Sequence, residues 1–231
     1  MGERQIFVRF CGCNLACQYC DTTLNFPEIK DARIEITPGK REFKNHPNPL
    51  SLDKLLDSID QLGKPQGLHH SVSLTGGEPL LQVDFLKDLI PEITKRDLLT
   101  YLETNGTLPK HLSEIIDLLD IIAMDLKIPS ATGLSSYFEE HKEFLKMATK
   151  REVMVKVVFT RESTIKEIEE AAELVAEVNP KIPFILQPVT PYGPIKHRPR
   201  PQEILAFQAL AKRRLENVRV IPQMHKILGL S

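Results

Sequence analysis

The stretch FVRFCGCNLACQYCDT, at residues 7–22, contains all four cysteines of the 231-residue chain. The last three, Cys13, Cys17 and Cys20, have the spacing C-x3-C-x2-C. Three thiolates this close together can bind one 4Fe-4S cluster, and because four cysteines normally hold such a cluster, one iron would lack a protein ligand. The stretch therefore predicts a metal cluster with one iron open to chemistry.

Other uses of the cysteines are less well matched to the sequence. Disulfides among them would close very short loops and would gain little stability from chain entropy. A structural zinc site usually has a second pair of cysteines or histidines farther along the chain, and the seven histidines do not supply one. Zinc stays an alternative. We expect Cys11 to be a packed side chain, since its spacing to Cys13 is awkward for a shared cluster.

Charge and hydropathy exclude several classes of partner. The chain has 30 basic and 31 acidic residues, which gives no electrostatic reason to bind nucleic acid or an anionic membrane surface. No apolar run approaches the roughly 20 residues that span a bilayer, and the first residues lack a secretory signal pattern. We expect a cytoplasmic protein, in a compartment where thiols stay reduced.

Beyond the cysteine stretch, apolar β-rich segments alternate with amphipathic helical segments. Strands are predicted at residues 5–10, 70–74, 98–102, 121–126, 153–159, 184–186 and 218–221. Helices are predicted at residues 51–62, 81–95, 109–119, 135–149, 164–178 and 201–215. Repeated strand–helix units favour a mostly parallel sheet with helices outside, and six or more units suggest a partial barrel. The predicted class is therefore α/β.

One segment interrupts this alternation. Residues 23–50 are predicted to be an irregular insertion, with a possible small hairpin between residues 34–36 and 42–43. The sequence has no internal repeat and no low-complexity linker, so we expect residues 1–231 to form a single domain.

Polar residues follow several predicted strands, where the loops of an α/β barrel form the ligand-binding face. The loops are Thr75-Gly76-Gly77-Glu78-Pro79, Glu103-Thr104-Asn105-Gly106, Asp125-Leu126-Lys127 and Gln187-Pro188-Val189-Thr190. Two glycines let backbone approach a ligand closely, and Glu78 can accept a hydrogen bond from a cationic amine. Each loop taken singly is also consistent with an ordinary turn, or with a rim ion pair in the case of Asp125 and Lys127.

Together, the three cysteines, the Gly76-Gly77-Glu78-Pro79 turn and the order of the polar loops resemble the radical S-adenosylmethionine (radical SAM) enzymes. The resemblance implies a partial (β/α)6 TIM-like barrel. It also implies that Cys13, Cys17 and Cys20 bind a 4Fe-4S cluster whose open iron is chelated by S-adenosylmethionine. In that family the reduced cluster donates an electron to the sulfonium, which releases methionine and a 5′-deoxyadenosyl radical that abstracts hydrogen from the substrate.

The resemblance also implies a pocket for S-adenosylmethionine. Its expected residues are Tyr19, Gly76, Gly77, Glu78, Glu103, Asn105, Asp125, Leu126, Lys127, Gln187, Pro188, Val189 and Thr190.

Within the superfamily, residues 7–22 and the late Pro222-Gln223-Met224-His225-Lys226 are similar to the 7-carboxy-7-deazaguanine synthase family. The implied reaction converts 6-carboxy-5,6,7,8-tetrahydropterin to 7-carboxy-7-deazaguanine with loss of ammonia, in queuosine biosynthesis. The resemblance assigns Arg9 to the substrate carboxylate, a task suited to a guanidinium, and Thr22 to Mg2+. Thr75, Gln223 and His225 are the other expected substrate contacts. A flavodoxin- or ferredoxin-type electron donor and a homodimer are also implied.

The start of the chain departs from the family pattern, and two other functions would share parts of that pattern. Members of the family usually carry an earlier strand and loop with glutamine and glutamate over the substrate, whereas this chain begins Met1-Gly2-Glu3-Arg4-Gln5. We expect either a truncated start or a different substrate. A glycyl-radical-enzyme activating enzyme would share the cysteine loop, the Gly-Gly-Glu-Pro turn and Asp-Leu-Lys. A non-enzymatic Fe-S or zinc protein would use the cysteines structurally.

Overall fold

A computed structural model describes residues 2–22 and 29–229, and these residues contain nine strands and eight α-helices. The strands are β1 (Gln5–Phe10), β2 (Asp31–Thr37), β3 (Glu42–Pro47), β4 (Ser71–Gly76), β5 (Leu99–Thr104), β6 (Ile121–Asp125), β7 (Glu152–Phe159), β8 (Phe184–Pro188) and β9 (Val218–Val220). The helices are α1 (Leu52–Leu62), α2 (Val83–Thr94), α3 (Pro109–Ile115), α4 (Pro129–Thr132), α5 (Phe138–Ala148), α6 (Ile165–Val178), α7 (Pro201–Ala211) and α8 (Met224–Leu228).

Seven of the strands form one parallel sheet, in the order β1-β4-β5-β6-β7-β8-β9. Each step across the sheet is a crossover that contains at least one α-helix, so six strand–helix units are followed by a seventh strand. Parallel strands need such long connections because each chain must return to the same end of the sheet. The predicted α/β class and the alternation along the chain are confirmed.

The two faces of the sheet differ because side chains alternate along a strand. Leu74, Leu102 and Ile122 lie on the outer face and pack in the main apolar core, which includes Leu86 and Ile90 of α2. The opposite, inner face has a small apolar floor of Tyr101, Ile121, Ala123, Met154 and Ile185. The same inner face carries the polar residues Arg9, Thr75, Glu103, Asp125, Lys156 and Gln187. This polar layer faces the region where the loops after the strands meet.

The predicted hairpin is confirmed as the antiparallel pair β2 and β3. The predicted insertion partly lies outside the described residues, which omit 23–28. The predicted helix at 81–95 is divided into a 3-10 turn, Pro79–Gln82, and α2. α4 and α8 were not predicted, since four and five residues are too few to show helical periodicity. Within the described ranges, no helix is both long and apolar enough to cross a membrane.

Replacing a buried side chain of α2 tests the packing of the main apolar core. Leu86 is 0% exposed, so we expect Leu86→Ala to lower the free energy of unfolding by about 2–5 kcal/mol, through lost burial and an unfilled cavity. Denaturant unfolding measures the change. Leu81→Ala is the matched control, because Leu81 in the preceding turn is 43% exposed; equal losses in the two variants would contradict this packing.

Candidate functional site

The cysteine loop follows β1 and is pinned to the glycine turn after β4. The backbone N–H of Gly77 donates to the Phe10 carbonyl at 2.9 Å, and that of Glu78 donates to the Gly12 carbonyl at 2.8 Å. Gly76 has φ +112°, and a Cβ there would collide with the Phe10 backbone. A Cβ on Gly77 would collide with the Gly12 carbonyl. Glycine is therefore required at both positions for the two loops to meet.

The three predicted cluster ligands lie partly buried in this loop. Burial raises the pKa of the Cys17 thiol to about 11, and the nearby Cys13 and Cys20 add to the increase. These effects place Cys13 and Cys20 within electrostatic range of Cys17. Cys11 is separate, because its thiol lies beside the side chain of Asn48 at the end of the hairpin.

The donor set fits an iron-sulfur cluster. Cys13, Cys17 and Cys20 lie in one loop, and thiolates are the ligands that hold such clusters, each binding a different iron. In the described part of the chain, no group of three or more His, Cys, Asp or Glu side chains surrounds a single metal position.

Glu78 differs from the sequence-based expectation. Its carboxylate is 0% exposed and accepts hydrogen bonds from Leu80 N at 3.1 Å, Thr104 Oγ1 at 2.8 Å and Asn105 N at 2.8 Å. Burial raises the pKa of Glu78 despite these three donors. The side chain therefore does not present itself to a ligand amine. It joins the turn after β4 to the loop after β5.

Asn105 also has its hydrogen-bond partners within the protein. Its side-chain amide bonds to Asn14 and Thr107, which ties the loop after β5 to the cysteine loop. His141, fully buried in α5, lies behind it with Nε2 3.0 Å from the Asn105 carbonyl oxygen. Asn105 thus holds the shape of the site, in place of the expected direct contact with the cofactor.

A buried charge network lies beside the cysteine loop. Lys127 Nζ donates to Asp125 Oδ2 and to Tyr19 Oη, each at 2.8 Å, and Lys156 Nζ lies 3.3 Å from the same Asp125 oxygen. Burial acts to raise the pKa of Asp125, but the two lysines outweigh it and the pKa is lowered. Two cations share one carboxylate, so the network carries an excess positive charge.

The other residues expected in the pocket for S-adenosylmethionine are either buried or partly exposed. Leu126 is 0% exposed and Val189 is 2% exposed, and both side chains pack in the main core. Their side chains therefore face the core, and their backbone N–H groups donate to the carbonyls of Lys156 and Phe159. Gln187, Pro188 and Thr190 are partly exposed.

The expected substrate residues on the inner face lie on neighbouring strands. Arg9 in β1 is in register with Thr75 in β4, and its guanidinium lies 5.3 Å from the centre of the Phe7 ring. The Thr75 hydroxyl donates to Glu103 Oε2 at 3.4 Å, and Ser73 donates to Oε1 at 3.3 Å. The Arg9 guanidinium in β1 and the Glu103 carboxylate in β5 thus lie at the same end of the sheet, with β4 between them.

The C-terminal residues contact the cysteine loop and the loop after β8. Gln223 Oε1 accepts from Thr190 N at 2.8 Å. Asp21 Oδ2 lies 3.3 Å from His225 Nε2 and 2.8 Å from Lys226 Nζ. Thr22, the expected Mg2+ ligand, is the last described residue before the undescribed segment 23–28 and is partly exposed.

Several residues of the site were not singled out from the sequence. They are Asn14, Asp21, Thr107, His141, Lys156 and Lys226. Period-two alternation along β7 could have placed Lys156 on the inner face. His141 lies in a helix with no motif around it, and only tertiary packing brings it to Asn105.

Burial of His141 predicts a pH-dependent stability. Burial lowers the pKa of His141 to about 4, whereas an unfolded histidine titrates near 6.5. The unfolded state therefore binds more protons between these values, and stability contributed by the neutral ring is lost as pH falls from about 6.5 to 4. We expect a loss of up to about 3 kcal/mol from this group.

Unfolding free energies at pH 7 and pH 4.5 measure the effect. His141→Gln should depend less on pH than the unsubstituted protein, and His197→Gln, at an exposed position, should behave like the unsubstituted protein. An unchanged pH dependence in His141→Gln would contradict the assignment.

Comparisons with known proteins identify the family of the chain. Residues 7–179 match the model of the Radical SAM superfamily. A 7-carboxy-7-deazaguanine synthase from Geobacter sulfurreducens is 45% identical over 231 residues, which cover 99% of this chain and 91% of that protein. The enzyme of the same name from Archaeoglobus fulgidus is 34% identical, with 100% of this chain and 92% of that protein covered.

Solved structures agree on the fold. Streptococcus suis SuiB superimposes with a TM-score of 0.61 at 17% identity, over 95% of this chain and 49% of that one. SuiB bound to S-adenosylmethionine gives the same score at 16% identity, with 95% and 50% covered. At such low identity the likeness shows the radical SAM fold alone. The extent and identity of the sequence matches go further: the chain belongs to the radical SAM superfamily and, within it, to the 7-carboxy-7-deazaguanine synthase family.

Proposed function

We propose that this protein converts 6-carboxy-5,6,7,8-tetrahydropterin to 7-carboxy-7-deazaguanine, with loss of ammonia, in queuosine biosynthesis. The observation that carries the proposal is the position of Arg9. It lies on the inner face of β1, the strand that leads directly into the cysteine loop, and it is in register with Thr75. An anionic small molecule held by Arg9 would therefore lie next to the loop where radical chemistry begins.

The residues present fit the cofactors of this family. Cys13, Cys17 and Cys20 would hold the 4Fe-4S cluster, and Cys11 would not, since it lies against Asn48. When bound, the cluster supplies the electron for reductive cleavage of S-adenosylmethionine. The protein contributes the surroundings of the cluster. The thiols are partly buried, and backbone hydrogen bonds join the cysteine loop to the glycine turn. The cation of Lys127 lies within electrostatic range of Cys17.

The pocket for S-adenosylmethionine is assigned to residues of the cysteine loop and of the loops that follow the strands. Gly76 and Gly77 offer close backbone approach, Tyr19 and Lys127 lie beside the cysteine loop, and Gln187 lies on the inner face. The network of Lys127, Lys156 and Asp125 favours an anionic group, such as a carboxylate, because cations exceed anions in it. Glu78 and Asn105 support this pocket from behind.

The substrate is assigned to the opposite part of the inner face. Arg9 would bind its carboxylate, and Thr75 and Glu103 lie where the donor-rich edge of a pterin could bond to them. Gln223 and His225 are already bonded to Thr190 and Asp21, so they would fix the C-terminal segment beside the site as well as approach the substrate. Thr22 would be the protein ligand to Mg2+, a cation that prefers oxygen.

The proposal includes further partners. An electron donor of flavodoxin or ferredoxin type would reduce the cluster, and the enzyme would act as a homodimer in the cytoplasm, where the thiols stay reduced.

Single replacements of the cysteines test the cluster assignment. We expect Cys13→Ser, Cys17→Ser and Cys20→Ser each to lose the cluster, because three thiolates are the minimum that holds four irons with one left open. Cys11→Ser is the matched control and should keep it. Iron content and visible absorbance are measured after anaerobic reconstitution.

Activity assays of the same preparations separate the candidate functions. The protein should release 5′-deoxyadenosine under strong reductant and should form 7-carboxy-7-deazaguanine only when the pterin is supplied. Cleavage of S-adenosylmethionine without pterin-dependent product would contradict the substrate, and a cluster-loaded protein that releases no 5′-deoxyadenosine would contradict the enzyme class.

Replacement of Arg9 tests the carboxylate contact. Loss of a hydrogen-bonded charge pair costs about 1.5–3 kcal/mol, so Arg9→Gln should lower kcat/KM for the pterin by roughly 10- to 100-fold. Release of 5′-deoxyadenosine in the absence of pterin should not change. Arg33→Gln, on the exposed hairpin where Arg33 lies 4.3 Å from the Phe43 ring centre, is the control. A kcat/KM for Arg9→Gln equal to that of the control would exclude the contact.

A further inference from the structure

Three polar side chains form a closed ring between the cysteine loop and the loop after β5. Asn105 Nδ2 donates to Asn14 Oδ1 at 2.8 Å. Asn14 Nδ2 donates to Thr107 Oγ1 at 2.9 Å, and the Thr107 hydroxyl donates to Asn105 Oδ1 at 2.6 Å. Asn105 is 6% exposed and Thr107 is 8% exposed, whereas Asn14 is exposed, so water competes least with the bond between Asn105 and Thr107. The ring places an asparagine side chain next to a predicted cluster ligand, Cys13.

The orientation of the Asn105 amide is determined by a backbone group. Thr107 N lies 3.0 Å from Asn105 Oδ1. A backbone N–H can only donate, so the amide atom facing it must be the oxygen. The NH2 group must then face the cysteine loop, and the ring fixes the directions of the Asn14 and Thr107 bonds in turn. The assignment therefore does not depend on distinguishing nitrogen from oxygen in the side chain itself.

One N–H of Asn105 remains after the ring is closed. Nδ2 has two hydrogens, and Asn14 accepts one of them. Cys13 Sγ lies 3.8 Å from the same nitrogen and accepts the other. Cys13 Sγ also accepts from Leu15 N at 3.4 Å. Two N–H groups thus converge on one sulfur, one from its own loop and one from a loop 92 positions away in sequence.

The backbone of Asn105 is held as firmly as its side chain. Its N–H donates to the buried Glu78 carboxylate at 2.8 Å, and its carbonyl oxygen lies 3.0 Å from His141 Nε2. Every polar group of the residue therefore has a protein partner. A residue fixed in this way has little freedom to turn its N–H away from the sulfur.

We propose that Asn105 tunes the cluster, by donating its amide N–H to the sulfur of Cys13 and so raising the reduction potential. A hydrogen bond to a thiolate sulfur stabilises the reduced cluster more than the oxidised one, because reduction adds negative charge to the sulfurs. The backbone N–H of Thr107 orients the amide, and the side chains of Asn14 and Thr107 only complete the ring around it. The inference rests on the proposed cluster site but not on the identity of the substrate.

The test is a redox titration of the reconstituted holoenzyme, monitored by electron paramagnetic resonance, without any pterin. Asn105→Ala removes the donor and should shift the midpoint potential to a more negative value. Thr107→Val removes the hydroxyl but keeps the backbone N–H that orients Asn105, so its shift should be much smaller. Asn14→Ala, which also leaves the donor in place, should behave like Thr107→Val.

A second pair of variants separates the hydrogen bond from packing and charge. Asn105→Asp keeps the size of the side chain and loses both N–H groups, while Asn14→Asp adds the same charge in the same ring and keeps the Asn105 donor. We expect a more negative potential in Asn105→Asp than in Asn14→Asp. Iron content confirms equal loading of the compared samples.

The outcomes are distinct. Equal potentials in Asn105→Ala and Thr107→Val, or in the two aspartate variants, would overturn the tuning role. Failure of both Asn105 variants to bind iron, with the controls loaded, would overturn it in favour of a role in assembly. A potential that shifts as expected in an enzyme that forms no 7-carboxy-7-deazaguanine would instead overturn the proposed substrate alone.

Discussion

The site depends on one contact between two stretches of backbone, the cysteine loop after β1 and the glycine turn after β4. Gly77 N and Glu78 N donate to the carbonyls of Phe10 and Gly12, and a Cβ on Gly77 would occupy the space of the Gly12 carbonyl. Because β1 and β4 are adjacent parallel strands, both loops leave the sheet at the same end. The contact therefore sets where the thiols lie relative to every other loop.

Buried polar groups extend this constraint from loop to loop. The Glu78 carboxylate bonds to Thr104 and Asn105, Asn105 bonds back to the cysteine loop through Asn14, and His141 backs the Asn105 carbonyl. An unpaired buried carboxylate or amide would be strongly destabilising, so each of these groups requires its partner to be in place. These hydrogen bonds consequently tie the loops around the thiols to one another.

The inner face of the sheet shows how one fold separates two chemical environments. Near β6 and β7, Lys127 and Lys156 share Asp125 and leave an excess of positive charge beside the cysteine loop. Near β1 and β4, Arg9 and Glu103 flank Thr75 and offer both signs of charge. Under the proposed function, the cofactor carboxylate would bind near the first of these environments and the pterin near the second.

The sequence by itself determined the elements and the chemistry of the cysteine loop. Strand alternation, the Ser51 cap of α1 and the turn glycines are local features, and the C-x3-C-x2-C spacing is visible without any fold. The strand ends also located the polar loops correctly, since parallel strands end at one edge of the sheet.

What each of those polar residues does was decided only by the tertiary structure. Glu78, Leu126 and Val189 are buried rather than facing a ligand, and Asn105 is bonded within the protein. His141 and Lys156 join the site from a helix and a strand with no motif. The physical reason is that burial and hydrogen-bond partners depend on residues far apart in sequence, such as Asn105 and Asn14, which only packing brings together.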